Sequence, residues 1–252
     1  MSNFILHADD FGRSNIISKN ILNCVKHGNI KQVSVMVGFV NNDIHKKLLK
    51  TKIPTRLHLN LTDSKNFCLN KKNKKFSFFK ILFASSIEKK IIINDINNQI
   101  KQYKKIYKNR KLRVDGHQHI HMIPWIYNYL YNNVKDLTEI RFSVEKINLI
   151  DIKYFFKYKF IRNIFATFLL KLFSFFCKKK TNKTFYGILY SDLYNKSILE
   201  SQIKDNTKKK EILIHPGFTM LSERKKFNKK FFNYYFSKQR IKEYELSFLK
   251  KK

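Results

Sequence analysis

The sequence predicts an α/β fold in a single domain spanning residues 1–252, with its strands and helices closing as a distorted (β/α) barrel. Three observations carry this expectation. Short apolar runs alternate with stretches of helical period from Phe4 to Ser143, the order that builds a parallel sheet. Aspartates and histidines stand where several apolar runs end, and a barrel keeps its reactive groups at the carboxyl ends of its strands. No internal repeat and no linker divides the chain.

Residues 4–8 read as a first strand ending in Asp9, Asp10 and Gly12. Residues 14–26 follow as a helix, with Ile17, Ile21, Leu22 and Val25 on one face and Gly28 as its C-terminal cap. Val33, Val35 and Val37 alternate with Gln32, Ser34 and Met36 as a second strand. In 56–62, Leu57, Leu59 and Leu61 face away from His58, Asn60 and Thr62, which makes a third strand with a polar row. The lysine-rich, aromatic stretch 63–80 reads as a loop or lid, and 87–107 as an amphipathic helix. Residues 112–122 predict a strand, 125–134 a helix, and 139–143 a short strand. Segment 151–180 is apolar nearly all round and studded with Lys and Arg. It fits a buried or partner-facing helix, or a helix lying in a membrane interface. Phe185-Tyr186-Gly187 opens a further element, 211–215 is a short strand, and 225–252 reads as a basic helical tail on the surface.

The net charge is +34, from 52 Lys and Arg against 18 Asp and Glu. A nucleic-acid binder is the first class this suggests. However, Lys, Asn, Ile and Phe are enriched together while Gly (6), Pro (3) and Trp (1) are scarce. That joint bias reads as A+T-driven composition carried on solvated surface, so no specific nucleic acid is expected. Three scattered cysteines build no disulfide framework and point to a reducing compartment. The start MSNFILHADD has no basic region or continuous apolar core, so export is not expected. The longest apolar run, 163–177, is interrupted by Lys171 and falls short of a membrane span.

Scarce Gly and Pro make the surviving ones informative. Five of the nine fall within the Asp- and His-bearing runs 8–12, 115–124 and 215–217: Gly12, Gly116, Pro124, Pro216 and Gly217. Strand ends thus present Asp9 and Asp10, His58, the row His117, His119 and His121, and His215. On a continuous strand Asp115 and the three His share one face. Stacked histidines are costly to bury unless a metal or a carboxylate holds them. His27 and His45 lack such a setting and read as surface residues. One carboxylate with two imidazoles leaves a divalent cation open positions for water and a substrate oxygen, and of two adjacent acids one can bind the ion while the other accepts a proton.

Four motifs together resemble the YdjC-like carbohydrate deacetylase family, also called the ChbG/HpnK family. They are Ala8-Asp9-Asp10-Phe11-Gly12, Leu57-His58-Leu59-Asn60-Leu61-Thr62, Asp115-Gly116-His117-Gln118-His119-Ile120-His121-Met122-Ile123-Pro124, and His215-Pro216-Gly217. The resemblance implies a barrel of the glycoside hydrolase/deacetylase type and hydrolytic removal of the acetyl group from an N-acetylated sugar. It also implies a divalent metal, usually magnesium, with zinc and manganese compatible on ligand type. Asp10, His58 and His117 match its metal ligands, Asp9 its base and His215 its acid. The choice of Asp10 over Asp9 follows an analogy with polysaccharide deacetylases. Asp115, His119, His121, Arg141 and Trp125 are then substrate contacts or supports for the ligands. Arg141 alternatively pairs with an acid such as Asp115, and Trp125 alternatively anchors the following helix.

Amidohydrolases also place paired histidines on a barrel, but on the first strand, an order this chain reverses. A phosphoesterase could use the same residues, and a basic binding protein would use only the charge. The departure of 151–180 from a soluble disaccharide deacetylase suggests a lipid-linked or envelope substrate, met at the inner membrane face by an otherwise cytoplasmic protein. Peripheral membrane contact through 151–180 and a homodimer are both compatible with this sequence.

Overall fold

The computed structural model describes residues 4–62, 76–108, 110–147, 152–178, 183–205, 209–227 and 229–249. The chain runs β1 (Phe4–Phe11), α1 (Asn15–His27), β2 (Ile30–Val35), α2 (Asn42–Lys50), β3 (Thr55–Leu59), α3 (Phe78–Leu82), α4 (Ser86–Ile106) and β4 (Leu112–Gly116). It continues with α5 (Pro124–Asn133), β5 (Leu137–Ile140), α6 (Tyr158–Ser174), β6 (Thr184–Tyr186), α7 (Lys196–Lys204), β7 (Lys210–Ile214), α8 (Lys229–Tyr235) and α9 (Lys238–Leu246). Among the described residues, three short 3-10 turns punctuate it at His117–Met122, Ile152–Phe156 and Leu221–Lys226.

Among the described residues, seven strands form one parallel sheet in the order β5-β4-β3-β2-β1-β7-β6, a curled, incomplete barrel, so the distorted (β/α) barrel is the observed fold. Alternation explains its two faces. In β3, Leu57 and Leu59 point to the helices while Arg56 and His58 point to the concave side, and every residue of the strand is buried. The concave side is therefore filled by a charged network instead of the branched apolar layers usual in closed barrels. The apolar core lies between the sheet and its covering helices, built from Leu6, Ala8, Val33, Val35, Leu57, Val114, Ile212 and Ile214 with α1, α4 and α5.

Four expectations change. The strand predicted over 112–122 stops at Gly116, and the histidines that follow form a 3-10 turn in which Gln118 and His119 adopt φ of 54° and 55°. His45 is not a surface residue. It is fully buried on α2, with Nδ1 2.9 Å from the Tyr107 hydroxyl, and burial pushes its pKa down to about 4. The tail is not only surface, because Arg240 and Glu243 of α9 are buried against the sheet ends. The row His58, Asn60, Thr62 outlasts its strand, which ends at Leu59. Asn60 turns out of the sheet to exchange hydrogen bonds with Gln99 of α4, its N–H donating to Oε1 at 3.0 Å and its carbonyl accepting from Nε2 at 3.1 Å. Most of the loop predicted at 63–80 lies outside the described residues.

Candidate active site

The site begins with a break in β1. Neighbours on a regular strand point to opposite faces, which would separate Asp9 from Asp10. Here the register against β2 slips between Ala8 and Phe11, and Asp10 adopts a left-handed φ of 72°. That bulge brings both carboxylates to the carboxyl end of the sheet. Gly12 completes the turn at φ +88°, where an added Cβ would stand 2.1 Å from the Met36 carbonyl oxygen, so only glycine fits. Ser14 then caps α1, its hydroxyl accepting from the Ile17 N–H.

Asp10, His58 and His117 converge. Asp10 Oδ1 lies 3.5 Å from His58 Nε2 and 3.2 Å from His117 Nδ1, and all three residues are buried. The other Asp10 oxygen accepts a 2.6 Å bond from Arg240, which also donates to the Gly217 carbonyl. Burial by itself would raise the Asp10 pKa, but the Arg240 guanidinium and the two imidazoles hold it well below the usual carboxylate range. Asp115 is likewise held ionised against burial by Arg141 and His58, so His58 Nδ1 is the donor in its 2.7 Å bond to Asp115 Oδ1. In the neutral ring, Nε2 then turns a lone pair toward Asp10 Oδ1, an atom with no hydrogen-bond partner. Burial opposes a charge on His58, yet Asp9, Asp115 and Asp10 outweigh it and push its pKa up to about 10. The pocket thus demands positive charge, which a proton or a cation can supply. One carboxylate oxygen and two imidazole nitrogens, with a carboxylate orienting one ring from behind, fit a divalent cation.

A second cluster, His7, Asp9 and Asp115, lies beneath and already holds its cation. Arg141 grips both Asp9 oxygens at 3.0 and 3.1 Å, Asp115 at 2.9 Å and Glu211 at 2.8 Å. Glu211 also meets Arg56 at 3.4 Å and His7 at 3.0 Å, while Ser34 donates to Asp115 at 2.5 Å and lies 2.7 Å from His7 Nε2. Burial would raise the Asp9 pKa, but Arg141 and then His58 lower it. Arg141 accordingly pairs with acids, Asp115 among them, under the floor of the site.

A cavity of about 350 Å³ opens above. Asp9, His58, His117, His119 and His215 line it, and α6 walls one side through Arg162, Asn163 and Ala166. His215 lines the cavity, with its backbone N–H donating to Glu243 at 2.6 Å and its ring Nδ1 3.7 Å from the same carboxylate. Burial favours the neutral ring, yet Glu243 and Asp10 raise its pKa on balance. His119 faces the cavity with its pKa driven well below normal by burial, His121 and Arg141. The histidine row does not share one face. His121 drops below the floor, with Nε2 3.0 Å from the Arg141 carbonyl and its pKa lowered to about 4 by burial. Trp125 stands apart from the cavity, its indole N–H bonded to the Ile81 carbonyl at 3.0 Å, which fits the helix-anchor alternative.

Several participants escaped the sequence reading. His7 was legible in principle, since it lies two positions before Asp9 on one strand face, and Glu211 was visible as an acid inside an apolar strand. Arg240, Glu243 and the cavity-lining Phe231 and Tyr234 carried no signal, being scattered through a lysine-rich tail.

The profile of the family described as YdjC-like protein matches residues 3–250. A carbohydrate deacetylase of Danio rerio is 25% identical over 132 residues, 48% of this chain and 42% of that protein. One of Mus musculus is 24% identical over 135 residues, 48% of this chain and 44% of that protein. The alignments therefore span less than half of either relative. A crystal structure from Enterococcus faecalis V583, described as a candidate cellobiose-phosphate cleavage protein, superposes with a TM-score of 0.62 at 15% identity, over 97% of this chain and 89% of that one, and shares the fold. With the four motifs gathered at one end of the sheet and the family profile running almost from end to end, the chain belongs to the YdjC-like family.

Proposed function

We propose that the protein is a metal-dependent carbohydrate deacetylase that hydrolyses the acetamide of an N-acetylated sugar to acetate and an amino sugar. The observation that carries this reading is the convergence of Asp10 Oδ1, His58 Nε2 and His117 Nδ1 at the floor of a cavity whose other walls present Asp9 and His215. Asp10, His58 and His117 would hold the cation, magnesium by family habit, although two imidazoles suit zinc or manganese as well. When bound, such an ion polarises a carbonyl and stabilises developing negative charge.

The protein groups divide the remaining work. Arg141 keeps Asp9 ionised and fixed from below, so Asp9 takes the proton of the attacking water. His215, whose pKa is raised by Glu243 against the effect of burial, gives a proton to the departing sugar nitrogen. Asp115 sets the His58 tautomer, and His119 with Asn163 offers polar contacts to sugar hydroxyls.

The test is metal analysis of the purified protein joined to acetate release from a panel of N-acetylated oligosaccharides, with phosphate esters assayed in parallel. Expected are about one ion per chain, acetate release, and loss of both in Asp10→Ala and His117→Ala. Turnover of phosphate esters without acetate release would replace this reading by the phosphoesterase one.

A further inference from the structure

The outward face of α6 is rich in large apolar side chains. Phe160, Asn163, Thr167, Leu170, Phe173 and Ser174 are buried against the protein, with Ile164 and Leu169 packed beside them. Ile161, Phe165, Phe168 and Leu172 recur at helical spacing on the outside, with Phe165 76% and Phe168 55% exposed. A helix face covered only by water is polar. Phe156 and Tyr158 extend the patch at one end, and Phe175 and Phe176 extend it at the other, all of them exposed. Phe78 of α3 stacks near Phe173, and its neighbours Phe79 and Phe83 are also exposed. Single exposed apolar residues need no explanation, but a run of rings this long does.

Charge decides what covers it. Residues 152–178 contain six Lys and Arg and no Asp or Glu. Two copies meeting through this face would set like charges together, and the acid beside α6, Asp192, is already paired with Arg162. A lipid surface of negative charge supplies the opposite sign, with rings entering the acyl boundary and lysines reaching the headgroups. Among the described residues no helix is long and apolar enough to cross a membrane, so the mode is lying on the surface.

We propose that the outward face of α6 docks the protein on an anionic bilayer. Because α6 also walls the cavity, docking places the site beside the lipid surface, within reach of an acetamido sugar carried on a lipid or envelope glycan. That consequence rests on the functional reading above, whereas the docking does not.

Flotation of the full-length protein with phosphatidylcholine vesicles, with and without phosphatidylglycerol, tests it. The protein should float with the anionic vesicles, and Phe165→Ser and Phe168→Ser should each weaken partitioning about tenfold. Lys159→Glu with Lys171→Glu, which keeps every ring, should reduce the preference for anionic over neutral vesicles. Absence of flotation would overturn the proposal. So would flotation that added salt abolishes and the Phe substitutions leave unchanged, since net charge alone would then explain it. A dimer in the ultracentrifuge that the same Phe substitutions split would assign the face to a second copy instead. Acetate release from a soluble acetamido sugar is read separately and should match in wild type and variants. Its absence in all of them would defeat the functional reading and leave the docking result standing.

Discussion

Arg240 shows how much of the site depends on one side chain far along the chain. Its guanidinium binds Asp10 Oδ2 and the Gly217 carbonyl and lies over the rings of Tyr234 and Tyr235, at 4.2 and 4.4 Å. Removing one partner of a buried ion pair strands the other, so Arg240→Met should cost about 3–5 kcal/mol in urea unfolding. It should also weaken metal binding by roughly tenfold or more, because Asp10 Oδ1 loses its orientation. Glu145 makes a different residue-level prediction. Its Oε2 accepts N–H bonds from Gly187, Ile188 and Leu189, which hold the strand-end loop behind the cavity, yet burial outweighs those bonds and pushes its pKa up to about 7. A carboxyl raised in the folded state stabilises fully below its unfolded pKa of 4.5 and loses that contribution as pH rises toward 7. Stability should therefore fall across that window by an amount on the order of 3 kcal/mol, and Glu145→Gln should flatten the curve.

At the level of elements, two irregular backbone segments gather the site. The bulge in β1 lets adjacent aspartates serve one cavity, and Gly12 makes the bulge sterically possible. Gly12→Ala should lower stability by about 2 kcal/mol or more and reduce metal content, since the backbone must shift off Met36 and carry Asp10 with it. Thermal unfolding together with metal analysis checks both effects. The turn after β4 does the same for the histidines. Along a continuous strand, alternate side chains stand nearly 7 Å apart, so His117, His119 and His121 would trail away from any common point. Ending the strand at Gly116 instead brings His117 to Asp10, His119 to the cavity wall and His121 beneath it.

For the whole molecule, the sheet is an ion-filled half-barrel. The concave network from Arg56 through Glu211, Arg141 and Asp115 links β3, β7, β4 and the end of β5 under one cavity. A ligand that binds only the folded state raises its stability by mass action, so added divalent cation should shift the unfolding temperature upward. The gain should approach about 2.7 kcal/mol at a hundredfold excess over Kd, and a chelator should reverse it. Asp10→Ala should show no such shift. An unchanged unfolding temperature in the wild type across metals and concentrations would count against Asp10, His58 and His117 as a cation site.

What the sequence by itself determined was the alternation of elements, the polar rows at strand ends and the four motifs. Each is a local pattern: a period of two in Arg56-Leu57-His58-Leu59, a helical period in 14–26, a glycine where only glycine fits. It also marked Asp9, Asp10, His58, His117 and His215, all of which meet at one end of the sheet. The tertiary structure decided which ring faces which carboxylate, because a left-handed Asp10 and a broken β4 defeat simple strand alternation. It alone brought Arg240 and Glu243 to the site and gave α6 a cavity wall on one side and an exposed aromatic face on the other. Contacts made across more than two hundred residues are set by packing, and no spacing along the chain records them.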